Sequence, residues 1–181
     1  MRVIGGTYRH RLLKWPDDVK HIRPTKDRIR EAIFCAIGDI NGFTCLDLYA
    51  GSGAMGIEAI SRGANKCVFV DINPVALSIT KENLKSLGIS SQTASVYALE
   101  DVQAIEKLAE EGYQFDLIIL DPPYKEGKYA EIIELLNINK LLKEHCIIIT
   151  ECDHEIELPI EQFIKVRNYK YGDIRVNILW R

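Results

Sequence analysis

Apolar and polar positions follow two rhythms along this chain. Thr44–Leu48, Lys66–Asp71, Phe115–Leu120 and His145–Thr150 are short, nearly continuous apolar runs, the pattern of strands buried on both faces, and Thr93–Tyr97 is a weaker strand. Between them apolar residues recur at three- and four-residue spacing, predicting helices over Gly53–Arg62, Pro74–Leu87, Asp101–Glu111 and Tyr129–Leu142, the last broken around Asn137-Ile138-Asn139. Strand and helix in such alternation predict an α/β fold with a doubly wound, mostly parallel sheet. The end differs. Phe163–Tyr171 and Arg175–Trp180 flank Gly172-Asp173 with no helix between, which predicts a hairpin adding antiparallel strands to the sheet edge.

Ahead of the sheet, Arg2–Gly5 and Tyr8–Leu13 predict a hairpin that turns at the glycines. Arg23-Pro24-Thr25 opens a helix with Thr25 as N-cap and Asp27 in its first turn. Ile29, Ala32, Ile33, Ala36 and Ile37 keep helical spacing until Gly38, and Gly42 marks the following loop. Residues 1–42 are therefore expected as a basic hairpin and helix packed on a core domain of residues 43–181.

Composition narrows the class. The 181 residues are 47% apolar with no run near the ~18 residues of a membrane span, so a membrane protein is not expected. Met1-Arg2-Val3-Ile4 leads straight into Gly5-Gly6 and a basic segment, which does not read as a secretory signal. The five cysteines are odd in number, lack a C-x-x-C pair and sit mostly in apolar runs. They read as small buried hydrophobes in a reducing cytoplasm, with no zinc or other metal site expected.

The net charge of −3 hides an asymmetry. Residues 1–30 carry nine Lys or Arg against three Asp, and the rest carry 14 against 23 acids. A basic arm on an acidic body points to a polyanion at one end, with Arg2, Arg9, Arg11, Arg23, Lys26, Arg28 and Arg30 as its candidate contacts. A merely solvated segment is the alternative.

Cys45–Gly63 carries the first chemistry: an apolar run through Asp47, then Gly51, Gly53 and Gly56, then a helix. This is a strand feeding a loop that lets a ligand approach the free N–H groups of a helix. Gly51-Ser52-Gly53-Ala54-Met55-Gly56 also matches the dinucleotide fingerprint. Asp47 four positions before the first glycine, Ser52 in the loop and the lack of a phosphate-binding Lys favour a ligand with a cationic amino-acid moiety, hence S-adenosylmethionine. A dinucleotide and a turn serving packing alone remain open.

Ligands of open α/β sheets bind beyond the carboxyl ends of the strands. The second strand ends in Asp71-Ile72-Asn73, an acid about 20 residues past the loop that suits ribose hydroxyls or caps the next helix. Asp101, after the third strand, accepts from an adenine amino group or caps its own helix. The fourth strand ends in Asp121-Pro122-Pro123-Tyr124. Its prolines hold the backbone extended and remove N–H donors, leaving acceptors for an exocyclic amine, and Tyr124 offers a ring for a planar base. A rigid loop is the plainer reading.

D-P-P-Y resembles the [DNS]-P-P-[YFW] motif of amino-group methyltransferases acting on adenine or guanine. Five parallel strands followed by a hairpin is also the layout of a class I methyltransferase. With R-V-I-G-G-T-Y-R-H-R-L-L at 2–13, R-P-T-K-D-R-I-R-E at 23–31 and L-D-L-Y-A-G-S-G-A-M-G-I-E-A-I-S-R-G-A at 46–64, the chain resembles the bacterial 16S ribosomal RNA guanine-N2 methyltransferases, known for guanine 966. The likeness runs in order through almost the whole chain and is weakest in the last 30 residues.

The resemblance implies methyl transfer from S-adenosylmethionine to a guanine N2 amine of 16S ribosomal RNA, naked or in a small-subunit particle, without metal or covalent intermediate. It implies cofactor contacts at Asp47, Tyr49, Gly51, Ser52, Gly53, Asp71, Ile72, Asn73 and Asp101, and catalytic contacts at Asp121, Pro122, Pro123 and Tyr124. It implies that the basic arm engages RNA, and a cytoplasmic setting with no obligate protein partner is expected. The alternatives are an adenine-N6 methyltransferase acting on DNA or RNA, a NAD-linked oxidoreductase and a non-catalytic RNA-binding domain.

Overall fold

A computed structural model describes residues 1–15, 27–122 and 128–181. Its elements run α1 (Asp27–Ile37), β1 (Thr44–Leu48), α2 (Ala54–Ser61), β2 (Lys66–Asp71), α3 (Pro74–Leu87), β3 (Ala94–Ala98), α4 (Asp101–Glu110), β4 (Phe115–Leu120), α5 (Tyr129–Ile138), β5 (Leu142–Cys152), β6 (Lys165–Tyr171) and β7 (Ile174–Trp180). The seven strands form one sheet in the order β3-β2-β1-β4-β5-β7-β6. Strands β1 to β5 are parallel, β7 runs antiparallel to β5, and β6 antiparallel to β7. This is the doubly wound sheet with a terminal hairpin expected of a class I methyltransferase.

Alternation along each strand supplies two cores. Cys45, Cys67, Phe69, Leu117, Ile119, Ile147 and Ile149 face the side covered by α1, α2 and α3. Leu46, Leu48, Val68, Val70, Ile118, Leu120 and Ile148 face α4 and α5. Burial on both faces is why these strands read as unbroken apolar runs. Strand β5 is longer than its apolar run suggests, because Leu142 pairs with Phe115 across an irregular register and the polar Lys143-Glu144-His145 follows. Lys140, with φ 58°, ends the preceding helical segment instead of continuing it.

Close packing explains one glycine of the loop. A Cβ on Gly56, in α2, would lie 2.7 Å from the Cys67 Sγ and press into the Phe69 ring. Gly56→Val is expected to cost about 1–3 kcal/mol through overpacking, read as a lower urea midpoint at unchanged slope.

The N-terminal segment is a hairpin, with an Arg2–Leu12 bridge and the Val3 N–H donating to the Arg11 carbonyl at 2.9 Å. Val3 and Leu13 join the core on the α1 side. The tip docks on the end of α2: Thr7 and Tyr8 donate their N–H groups to the Ser61 carbonyl and Oγ at 2.7 and 2.9 Å. Gly6 (φ 73°) lies so close to the Ser61 backbone that any Cβ would overlap it.

Glu58 secures this docking from inside. It is fully buried, and its carboxylate accepts from the Ile4 and Gly5 N–H groups at 2.8 Å and from Arg62 Nε at 2.7 Å. Arg30 lies 3.6 Å from it. The expectation that Arg30 contacts RNA is corrected here: the side chain is fully buried, donating to the Arg2 carbonyl and to Asp27. Helical spacing puts it on the face of Phe34 and Ile37, turned inward. Burial lowers its pKa, opposed by Glu58 and Asp27.

Candidate functional site

The carboxyl ends of β1, β2, β4 and β5 surround a cavity of about 810 Å³. It straddles β1 and β4, where the winding of the sheet reverses and α/β folds bind ligands. Asp47, Tyr49, Gly51, Ser52, Asp71, Ile72, Asn73, Asp101, Asp121 and Pro122 all line it. Gly53 does not; it turns the chain with φ 77° just before α2, against Thr80. Pro123 and Tyr124 lie outside the described residues, as do Arg23, Thr25 and Lys26.

Carboxylates hold the loop in shape. Asp47 Oδ2 accepts from the Gly56 N–H at 2.9 Å, tying β1 to the first turn of α2. Asp71 accepts from the Gly51 N–H at 2.8 Å through one oxygen and from Asn73 N–H at 2.8 Å through the other. Thr80 Oγ1 and Asn83 Nδ2 donate to the Gly51 and Ser52 carbonyls. The Asn73 side chain caps α3, its Oδ1 accepting from the Val75 and Ala76 N–H groups.

Tyr49 adopts φ 97°, a strained value for a bulky side chain. The Val70 carbonyl anchors it, accepting from both Tyr49 and Ala50 N–H at 2.9 Å. Its hydroxyl donates to Asp101 Oδ2 at 2.8 Å. Asp101 thus opens α4 and faces the cavity at once. The acid is not the helix cap, which is Glu100.

The cavity is acidic. Its described charged lining comprises Asp47, Asp71, Glu100, Asp101, Asp121, Glu151 and Asp153 against Lys128 and His154. Such a wall repels a pyrophosphate and favours a cation. Asp121 is exposed to the cavity, yet partial desolvation by the surrounding walls, then the carboxylates of Glu151, Asp47 and Asp153, push its pKa above the usual range. Glu151 and Asp153 were missed in the sequence, although the strand-end rule applied to β5 points to them. Leu120 pairs with Thr150, so Asp121, just past β4, lies beside Glu151 in the last stretch of β5's pairing with β7. The Tyr129 hydroxyl donates to the Glu151 carbonyl at 2.6 Å and fixes that strand end.

Burial pushes Asp47 up to about 7, against relief from the Gly56 N–H and with a further push from Asp71. In the unfolded chain the same carboxyl titrates near ~3.9, so the native protein holds its proton longer and stability falls as pH rises across that window. Asp47→Asn keeps an acceptor for Gly56 without the charge. It is expected to flatten the pH dependence of urea unfolding between pH ~4 and ~7, and to weaken binding of a cationic ligand about tenfold by calorimetry.

Arg2, Arg9, Arg11 and Arg28 are exposed. Arg2, Arg9 and Arg28 line a second hollow of about 300 Å³ with His10, Asp27 and Glu31. Arg11 reaches the Ser86 carbonyl at 3.1 Å. Among the described residues no helix is long and apolar enough to cross a membrane, and no group of three or more His, Cys, Asp or Glu is arranged to hold a metal.

The family model described as Conserved hypothetical protein 95 matches residues 1–180. The chain is 40% identical over 175 residues to YlbH of Bacillus subtilis, covering 95% of this chain and 94% of that one. It is 34% identical over 160 residues to ribosomal RNA small subunit methyltransferase D of Escherichia coli, covering 88% and 78%. The solved structure of yhhF from Escherichia coli superposes with a TM-score of 0.85 at 31% identity, over 100% of this chain and 97% of that one.

Proposed function

The chain belongs to the Conserved hypothetical protein 95 family, and from that premise we propose that it transfers a methyl group from S-adenosylmethionine to the N2 amine of a guanine in small-subunit ribosomal RNA, in the cytoplasm. The observation that carries the cofactor reading is the carboxylate-lined cavity beyond β1 and β4, which suits a sulfonium and an ammonium and opposes a dinucleotide pyrophosphate. D-P-P-Y supports an exocyclic amine of adenine or guanine as the target, the relative named for small-subunit RNA supports the substrate class, and the choice of guanine rests on the family resemblance.

When bound, adenosylmethionine supplies a methyl group on a sulfonium, a leaving group that needs no proton. Asp47 and the glycine loop would hold its amino-acid end. Asp71 would receive the ribose hydroxyls with the lone pairs that Gly51 and Asn73 leave open, and Asp101, oriented by Tyr49, would accept from the adenine amino group. The target guanine must leave its stack to reach the cavity. Asp121 and the Pro122 carbonyl hold the N2 hydrogens, with Tyr124 assigned to stacking by the family motif. The amine is a weak nucleophile because its lone pair is conjugated with the ring, and it gains positive charge as it attacks. Acceptors fixed where that charge develops stabilise the transition state over the ground state. The raised pKa of Asp121 suits its carboxylate to take the proton that the methylated amine sheds.

Incubation with unmodified small-subunit RNA or particles, followed by mass mapping, is expected to yield a single N2-methylguanine. N6-methyladenine would replace this reading by its adenine alternative. Arg9→Glu combined with Arg11→Glu is expected to weaken RNA binding and lower the slope of log K against log salt by about 1–2 units. Filter binding across a salt series checks it, and an unchanged slope removes the arm from the RNA interface.

A further inference from the structure

The edge of the sheet carries a surface that the basic arm does not explain. Strand β6 is outermost and pairs only with β7. Tyr169 and Tyr171 project on one face with rings stacked at 6.3 Å and 15°, each half-buried against the core on the α1 side. Arg167 and Lys165, both exposed, continue the same face by the two-residue period of a strand. Lys165 Nζ lies 4.5 Å over the ring of Trp180, its cross-strand partner. Residues 165–181 hold five Lys or Arg against one Asp, while residues 31–164 hold nine against 22 acids.

The strip adjoins the cavity lining. Tyr171 pairs with Ile174 across the hairpin, and Ile174 lines the cavity together with Trp15 and Met1. The row from Tyr171 to Lys165 therefore starts beside a residue of the cavity lining and runs ~20 Å along the edge.

We propose that this face of β6 is a second RNA contact, a track on which the strand leading away from the target nucleotide lies, its bases stacked on Tyr171 and Tyr169 and its phosphates on Arg167 and Lys165. The assignment rests on the proposed action on ribosomal RNA. Aromatic rings interleaved with cations form the surface that binds single-stranded nucleic acid without reading sequence. Protection of an exposed strand edge would account for the cations. It does not account for a stacked, half-exposed tyrosine pair beside the cavity lining.

The test uses the full chain and small-subunit RNA, with adenosylmethionine affinity and thermal unfolding as fold controls. Lys165→Glu with Arg167→Glu is expected to weaken RNA binding at least tenfold and lower the salt slope by about 1–2 units. Tyr171→Ala is expected to weaken binding roughly tenfold at unchanged slope, the signature of lost stacking. Arg167→Ala, which leaves both tyrosines and Lys165 in place, guards against a folding defect and should shed about 0.7 of a slope unit. If the wild-type chain methylates the RNA while these variants bind it unchanged, the track is overturned and the methyltransferase reading stands. If the wild type neither binds nor methylates it, naked or in the particle, both fall. Variants that fail only on assembled particles while binding naked RNA normally would make the strip a protein contact and overturn the assignment to RNA.

Discussion

Asp121→Ala is expected to slow methyl transfer by about 10²–10³-fold while adenosylmethionine affinity changes only a few-fold, the cost of removing one preorganised acceptor from the charge that develops in the transition state. The two readouts separate because Asp121 leaves β4, whereas the glycine loop and Asp71 belong to β1 and β2 on the other side of the reversal in winding. Single-turnover transfer at saturating cofactor, with calorimetry for binding, measures both. Wild-type turnover in the variant would remove Asp121 from the reaction.

A pH dependence follows from the same carboxylate. Partial desolvation and the neighbouring Glu151, Asp47 and Asp153 hold its pKa above the ordinary range. Stabilising the amine's developing charge and taking its proton both call for the ionised carboxylate, so transfer is expected to fall as pH drops through that raised pKa. The acid limb should therefore stand above the usual range of an aspartate, and Asp121→Asn should abolish it.

Glu58→Ala carries the largest expected effect on stability. It leaves the fully buried Arg30 guanidinium with Asp27 as its remaining carboxylate, removes the Arg62 partner and strands the N–H groups of Ile4 and Gly5. Removing one member of a buried ion pair costs about 3–5 kcal/mol. That is a large share of the ~5–15 kcal/mol that holds a typical domain together. Thermal unfolding is expected to shift down by about 10 °C, at ~2–4 °C per kcal/mol for a chain of this size. Adding Arg30→Met should recover part of the loss. Full recovery would show that the N–H groups of Ile4 and Gly5 contribute nothing through Glu58, and an undiminished melting temperature in Glu58→Ala would remove the network as the anchor of the arm.

The strand ends were legible because strands buried on both faces announce themselves locally. The bounds of β1, β2 and β4 follow the apolar runs, and the residues just beyond them lie where the sheet reverses. Strand β5 was less legible. Its first residues are polar, and its expected end at Thr150 stopped one residue short of Glu151. Gly51, Gly53 and Gly56 look alike in the fingerprint, yet one lines the cavity, one turns the chain and one makes room for Phe69 and Cys67.

The charged residues divide most sharply. Arg28 and Arg30 stand two positions apart in one basic segment, and only the fold makes the first exposed and the second internal. Glu58 reads as an ordinary polar position in a helix until the arm, 54 residues earlier in the chain, closes over it. By itself the sequence determined the order of elements, the parallel sheet and the glycine loop, because periodicity and turn chemistry act between near neighbours in the chain. Tertiary structure alone decided which carboxylates share the cavity, which arginine is buried and which edge joins tyrosines to cations, because each depends on partners brought together across the sheet from distant segments.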